Sequence, residues 1–170
     1  MQKDIARLLK SGDMAAAMAA AKDAVRAAPG AVEPRLLMFQ ILALAGEWDR
    51  SATQLKVVGD LSPNSAPLVT TYQSLLRSEI TRIKVFTGAA TPVVLGRPDA
   101  WLGALLEALR LEGTGETTAG SNLRAQALEQ APGSGGVLTL ADGCAPFQWI
   151  ADADMRLGPV LEVVVNGRYV

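Results

Sequence analysis

The residues best suited to chemistry lie between Phe147 and Tyr169. Asp152 and Asp154 are two positions apart, so an extended backbone would place both carboxylates on one face, and Arg156 follows them. Two carboxylates can share acid–base work or hold Mg²⁺ or Ca²⁺. The alternative is a turn in which the aspartates accept backbone N–H bonds and pair with the arginine. We favour the turn, because no third ligand of the right type is nearby.

Composition argues against several classes of function. The chain has no histidine, which removes the commonest general base and metal ligand. The single cysteine, Cys144, allows neither an internal disulfide nor a zinc cluster, and it has no histidine to activate it as a nucleophile. A net charge of −1 argues against nucleic acid as the main partner. We therefore predict that the protein is not an enzyme and has no catalytic residue, cofactor or metal site.

No part of the sequence is suited to crossing a membrane. The longest apolar run, from Leu36 to Ala45, has ten residues and contains Gln40, which is too short for a bilayer. The N-terminal residues lack the continuous apolar stretch of a signal peptide. We predict a cytoplasmic protein with no membrane partner.

Residues 1–86 carry a period of 34 residues. Gly12 and Gly46 are separated by this interval, and so are Pro29 and Pro63. This is the period of the tetratricopeptide repeat, a helix–turn–helix unit. Glycine permits positive φ at the turn, and proline ends the second helix. We predict degenerate repeats with helices near residues 2–10, 13–28, 34–45, 48–61 and 65–86.

The repeat assigns two kinds of position. Small or apolar residues should pack between helices, and the last helix should bury an apolar face against its neighbours. The concave face, where repeat proteins usually bind, would suit an amphipathic helix or an extended peptide. The packing set is Ala17, Ala21, Ala24, Ser51, Leu55 and Val58, with Tyr72, Leu75, Leu76, Ile80 and Ile83 on the last helix. The concave set is Leu36, Gln40, Ala43, Leu44, Thr70, Ser74 and Arg77, with Ala6 and Leu9 alongside.

Local signals continue the helical structure beyond residue 86. Residues 87–100 hold two glycines and two prolines, which indicates an irregular connector. Asp99 can cap a helix that contains Trp101 and ends near Glu112. Gly113-Thr114-Gly115 and Gly120 indicate a turn region after it. A shorter helix is predicted from Ser121 to Ala131, with Ser121 or Asn122 as its cap.

The last part of the sequence is rich in β-branched residues. Strands are predicted at Val137–Leu140, Phe147–Ala151 and Val160–Val165, and Asn166-Gly167 is a strong hairpin signal. Because only three residues follow that turn, we infer that the chain is cut inside a β domain or that another chain completes the sheet. The predicted fold is mainly α, or α+β overall, with a small incomplete antiparallel segment. The predicted domains are helical repeats at 1–86, a connector with further helices at 87–132, and the start of a β domain at 133–170.

Two segments of the sequence resemble the ImpE/TagJ family, also called SciE-type proteins, which are accessory proteins of bacterial type VI secretion. The segments read PVVLGRPDAWLGALLEALR and FQWIADADMRLGPVLEVVVNGRY. Family members usually run on past the end of this sequence, so the resemblance implies that a C-terminal part is missing. The matching residues are expected to hold the fold: Trp101, Trp149, Asp152, Asp154, Arg156, Gly158 and Pro159.

The resemblance implies a non-enzymatic adaptor. It would bind the N-terminal helix of the small contractile-sheath subunit and, through it, be linked to the ATPase that recycles contracted sheath. Two alternatives stay open from the residues. One is a generic repeat scaffold that acts in oligomer assembly, and the other is a metal-dependent enzyme centred on Asp152 and Asp154.

Overall fold

Five helices form the first part of the structure, and each predicted helix is confirmed to within two residues at either end. A computed structural model describes residues 2–133, 135–147 and 154–170. The helices are α1 (Gln2–Lys10), α2 (Met14–Ala27), α3 (Val32–Leu44), α4 (Trp48–Leu61) and α5 (Ala66–Phe86), with a 3₁₀ turn at Pro63–Ser65 before α5. None of the described helices is long and apolar enough to cross a membrane.

Glycine ends the first helix of each repeat in the same way. Gly12 has φ +79°, and its N–H donates to the Leu9 carbonyl at 3.1 Å. The next N–H, of Asp13, donates to the Leu8 carbonyl at 2.9 Å. This pair of bonds is the Schellman motif, which satisfies carbonyls that the helix end leaves unpaired. Gly46 repeats the arrangement, with φ +73°, so the glycines of the repeat stand where left-handed backbone is needed.

Small side chains pack the repeat helices together, as the sequence predicted. Ala17 and Ala21 of α2 are fully buried beside Ile5 of α1 and Ile41 of α3. Alanine adds no bulk between helices, so neighbouring backbones can approach closely. The other predicted packing positions of α2 and α4 are also buried, namely Ala24, Ser51, Leu55 and Val58. On α5 the prediction holds for Leu76, which is buried, but Tyr72, Leu75 and Ile83 are exposed.

Ser51 joins two helices through a buried hydrogen bond. Its hydroxyl donates to the Phe39 carbonyl at 2.9 Å, and the side chain is fully buried. A buried hydroxyl without a partner costs free energy, so this bond permits a small polar residue at the contact between α3 and α4.

The chain divides into two compact units, Met1–Ile80 and Thr81–Val170. The second unit contains α6 (Ala100–Gly113) and α7 (Thr117–Gln130), which pack against each other. An ion pair supports this contact, in which the Arg124 guanidinium donates to Glu112 at 2.7 Å. The three-part division predicted from the sequence, at 1–86, 87–132 and 133–170, stays a prediction.

The start of α7 corrects the sequence prediction. The helix begins at Thr117 after the N-cap residue Glu116, so Ser121 and Asn122 lie within the helix rather than at its cap. Glycine at position 120 indicated a turn, but Gly120 is buried where α7 meets α6. Close packing rather than a turn accounts for this glycine.

Two short hairpins complete the described structure. β1 (Gly136–Leu140) pairs antiparallel with β2 (Gly143–Phe147), and β3 (Val164–Val165) pairs with β4 (Arg168–Tyr169). The predicted strand Val137–Leu140 is confirmed within β1. The predicted strand Phe147–Ala151 is wrong at its start, since Phe147 ends β2, and its remaining residues lie outside the described ranges.

The Asn-Gly hairpin is confirmed, although its strands are shorter than predicted. Of the predicted strand Val160–Val165, β3 contains only the last two residues. Asn166 and Gly167 have φ of 50° and 74°, as a two-residue primed turn requires. Val163 and Val170 then exchange two backbone hydrogen bonds of 3.0 Å, which extends the pairing by one residue on each side.

Gly120→Ala is expected to destabilise the protein. A Cβ at position 120 would lie 2.8 Å from the Ala108 carbonyl oxygen and 2.5 Å from Cγ of Glu112. Overpacking of this kind lowers the free energy of unfolding by about 2 kcal/mol, which urea denaturation would measure. Gly103→Ala is the matched control, because a Cβ there meets nothing within 4 Å in the same helix pair. The free energy of unfolding of that variant should rise by about 0.5–1 kcal/mol, because alanine favours the helix more than glycine does. Equal effects at the two positions would contradict the close approach of α6 and α7.

Candidate functional site

An open apolar groove of about 490 Å³ lies within the first unit. It is lined mainly by α1, α3 and α5, and Trp48 at the start of α4 adds one further side chain. Leu9 comes from α1, and α3 contributes Leu37, Gln40 and Leu44 among others. Repeat stacks commonly bind their partners on a concave side, which the sequence analysis predicted for helices α1, α3 and α5.

The α5 wall of the groove is aromatic and aliphatic. Tyr72, Leu75 and Glu79 line it at intervals of three and four residues, so they share one helix face. The ring of Tyr72 meets Phe39 of α3 edge-on, with centroids 5.1 Å apart and planes at 68°. This geometry is favourable for aromatic pairs and fixes the two walls against each other.

The groove exposes apolar side chains that a folded protein usually covers. Leu44 is 66% exposed, Leu75 41% and Tyr72 39%. Contiguous apolar surface of this kind commonly marks an interaction site. The groove therefore has the chemistry of a protein-binding surface.

The structure brings some of the predicted concave residues together and leaves others out. Leu9, Gln40, Ala43 and Leu44 line the groove. Leu36 instead packs against the buried cluster that contains Phe39. The remaining predicted residues, Ala6, Thr70, Ser74 and Arg77, are not among those that line it. Whether any of these residues contacts a partner stays a prediction.

A one-residue phase difference explains the change on α5. The projection used a constant interval of 34, but the lining positions of α5 follow those of α3 at 35, as Leu37 and Tyr72 illustrate. One residue rotates a helix position by about 100°, which moves the whole face. The sequence analysis had assigned Tyr72 and Leu75 to the buried face and did not single out Glu79.

A cluster of charged and aromatic side chains lies in the second unit, around the ring of Phe86. The guanidinium carbons of Arg82 and Arg156 lie 4.3 and 4.4 Å from its centroid. Such stacking is a cation–π contact, which is stronger where water is excluded. Arg82 also donates to the Glu162 carboxylate at 2.9 Å, and the Tyr169 hydroxyl donates to the same carboxylate.

Asp154 is held by Arg156 in a two-point contact. Nε and Nη2 of the arginine donate to its two oxygens at 2.9 and 2.6 Å, and the Arg156 N–H donates at 3.1 Å. These hydrogen bonds are the main reason that the pKa of Asp154 is lowered from 3.8 to about 2. Asp154 therefore stays ionised and already accepts three donors, which favours the turn interpretation for this residue.

Of the two predicted carboxylates, only Asp154 lies within the described residues. Asp152 and Trp149 lie outside the described residues, so the geometry between Asp152 and Asp154 stays a prediction. Within the described ranges, no three carboxylate or cysteine side chains come close enough to hold a metal ion. Cys144 is exposed within β2.

The other motif residues lie in or near the core of the second unit. Leu157 is buried with Val85 and Leu109. Gly158 has φ +57°, and a Cβ there would lie 2.5 Å from Cδ2 of Leu128. Pro159 and Trp101 are half-buried, and the described residues offer no hydrogen-bond acceptor to the buried Nε1 of Trp101.

Asp154→Asn is expected to lower stability and flatten its acid dependence. Because the folded-state pKa lies below the ordinary value, the stabilisation is present above about pH 4 and is lost as pH falls toward 2. The lowered pKa contributes about 2 kcal/mol to the free energy of unfolding at neutral pH. Little of this is lost to solvent screening, since the Asp154 side chain is only 20% exposed. Urea titrations from pH 2.5 to 7 would measure it. Asp23→Asn, which removes an exposed pair with Arg26, is the control and should change little. Equal losses in the two variants would contradict the role of the cluster.

Each of the two units contains a segment that matches a known protein family. Residues 144–170 match the family described as ImpE protein, and residues 8–76 match the tetratricopeptide repeat. The chain is 46% identical over 162 residues to the type VI secretion system accessory component TagJ of Pseudomonas aeruginosa, which covers 95% of this chain and 56% of that relative.

A crystal structure of a Vibrio parahaemolyticus protein has the same fold, with a TM-score of 0.84 and 23% identity over 98% of this chain and 61% of that one. This chain thus spans little more than half the length of the relatives it matches. The tetratricopeptide-like helices, the C-terminal match to ImpE and the 46% identical relative together confirm that this chain resembles the ImpE/TagJ family.

Proposed function

We propose that this chain is a non-enzymatic adaptor of bacterial type VI secretion. Its groove binds the N-terminal helix of the small contractile-sheath subunit, and this contact links it to the ATPase that recycles contracted sheath. The observation that carries the proposal is the apolar groove between α1, α3 and α5, which holds exposed leucines without a cover among the described residues. Similarity to the type VI secretion accessory component TagJ supports the secretion context.

The dimensions of the groove suit one face of a helix. From Tyr72 to Glu79 the α5 wall runs for two helical turns, or about 10 Å. An amphipathic helix presents apolar anchors at positions i, i+3 or i+4, and i+7 over the same length. Its anchors would cover Leu44 and Leu75, the two most exposed leucines of the groove.

The chemistry of the second unit is compatible with an adaptor. Asp154 is ionised and held by Arg156, and Glu162 accepts from Arg82 and Tyr169. These carboxylates act in holding the fold, since each is engaged by donors of the same unit. The function is therefore assigned to the groove and not to the acidic residues.

Charged substitutions in the groove should weaken binding of the sheath helix. Leu44→Asp and Leu75→Asp each place a carboxylate against the apolar anchors, and burying it unpaired should raise Kd for the sheath-subunit N-terminal peptide at least about tenfold. Both side chains are exposed, so the fold should be retained, which circular dichroism would check. Fluorescence anisotropy of the labelled peptide measures Kd.

Leu61→Asp provides the matched control. Leu61 is 39% exposed at the end of α4 and does not line the groove. The Leu61→Asp variant should bind the peptide with the same Kd as the unchanged protein. If Leu44→Asp and Leu75→Asp bind as tightly as Leu61→Asp, the groove is not the binding surface.

A second assay, co-purification, tests the indirect link to the ATPase. The ATPase should co-purify with this protein only when the sheath subunit is present.

A further inference from the structure

Glu79 is an acidic side chain set in an otherwise uncharged groove. The rest of the lining is apolar or aromatic apart from the amide of Gln40. Glu79 is half-buried before any partner arrives, and no hydrogen bond or ion pair engages it within the described part of the chain. It is therefore a negative charge on the wall of an apolar groove.

This charge makes a wholly apolar partner unfavourable. A helix that covers the groove would remove water from the carboxylate, and an unpaired carboxylate in an apolar contact is costly. A lysine or arginine opposite Glu79 would replace the lost water with a charge-assisted hydrogen bond. Charge complementarity thus selects among helices with equal apolar anchors.

We infer that the groove recognises an amphipathic helix that carries a basic residue about one turn from its central apolar anchor, where it pairs with Glu79. The inference rests on the proposed function and specifies the partner further. The spacing follows from α5, because Glu79 lies one helical turn beyond Leu75, the residue that the anchor would cover.

A charge-reversal experiment tests this pairing. The probe is the synthetic N-terminal helix of the small sheath subunit, together with a series in which each lysine or arginine is changed to glutamate. Glu79→Gln should weaken binding of the unchanged peptide roughly tenfold and Glu79→Lys more strongly. One peptide of the series should bind Glu79→Lys at least about tenfold better than the unchanged peptide does, since the reversed pair restores the attraction.

Asp60→Lys serves as the control for net charge. Asp60 is exposed on α4 and does not line the groove, so the same change of charge there should leave Kd within about twofold. Circular dichroism melts confirm that the variants fold. The inference is overturned if Glu79→Gln and Glu79→Lys bind the unchanged peptide like the parent, or if no reversed peptide recovers affinity for Glu79→Lys. Absence of binding between the parent protein and the unchanged peptide would instead overturn the proposed function.

Discussion

Burial of the alanine face of α2 is the contact on which the groove depends. Ala17 and Ala21 are fully buried against Ile5 of α1 and Ile41 of α3. Because alanine has no side chain beyond Cβ, the three helices can pack closely, and a larger residue here would force them apart. The outer side of the same cluster lines the groove, since Leu9, Leu37 and Ile41 belong to both. The apolar surface that the groove exposes is thus a product of close packing on its other side.

The helices of the first unit could be predicted from sequence because their signals are local. Gly12 and Gly46 mark ends where only left-handed backbone closes the helix, and a constant period repeats that signal. The face that each helix turns to the groove depends instead on packing between helices. Helix α5 was therefore predicted correctly, but its groove-lining residues were not. Tyr72 and Leu75 line the groove in place of the predicted Thr70 and Ser74.

The second unit shows the same division between local and long-range information. Asp154 and Arg156 are two residues apart, so their pairing was accessible to a sequence argument. Arg82 and Phe86 lie some seventy residues earlier, and no spacing rule connects them to that pair. Gly120 was misinterpreted for a related reason, because a glycine required by a neighbouring helix looks the same in sequence as a glycine required by a turn.

Helix α5 affects how this protein can be dissected. The boundary between the two compact units falls between Ile80 and Thr81, but the helix runs on to Phe86. Its end is closed by Gly88, whose N–H donates to the Val85 carbonyl while the Ala89 N–H donates to that of Lys84. A fragment cut at the unit boundary would lose this natural end, and it would also lose the N–H groups of residues 81–84 that pair with the last carbonyls of the shortened helix, beside Glu79. A fragment intended to carry the groove should therefore extend through Ala89, so that its last helix keeps a natural end.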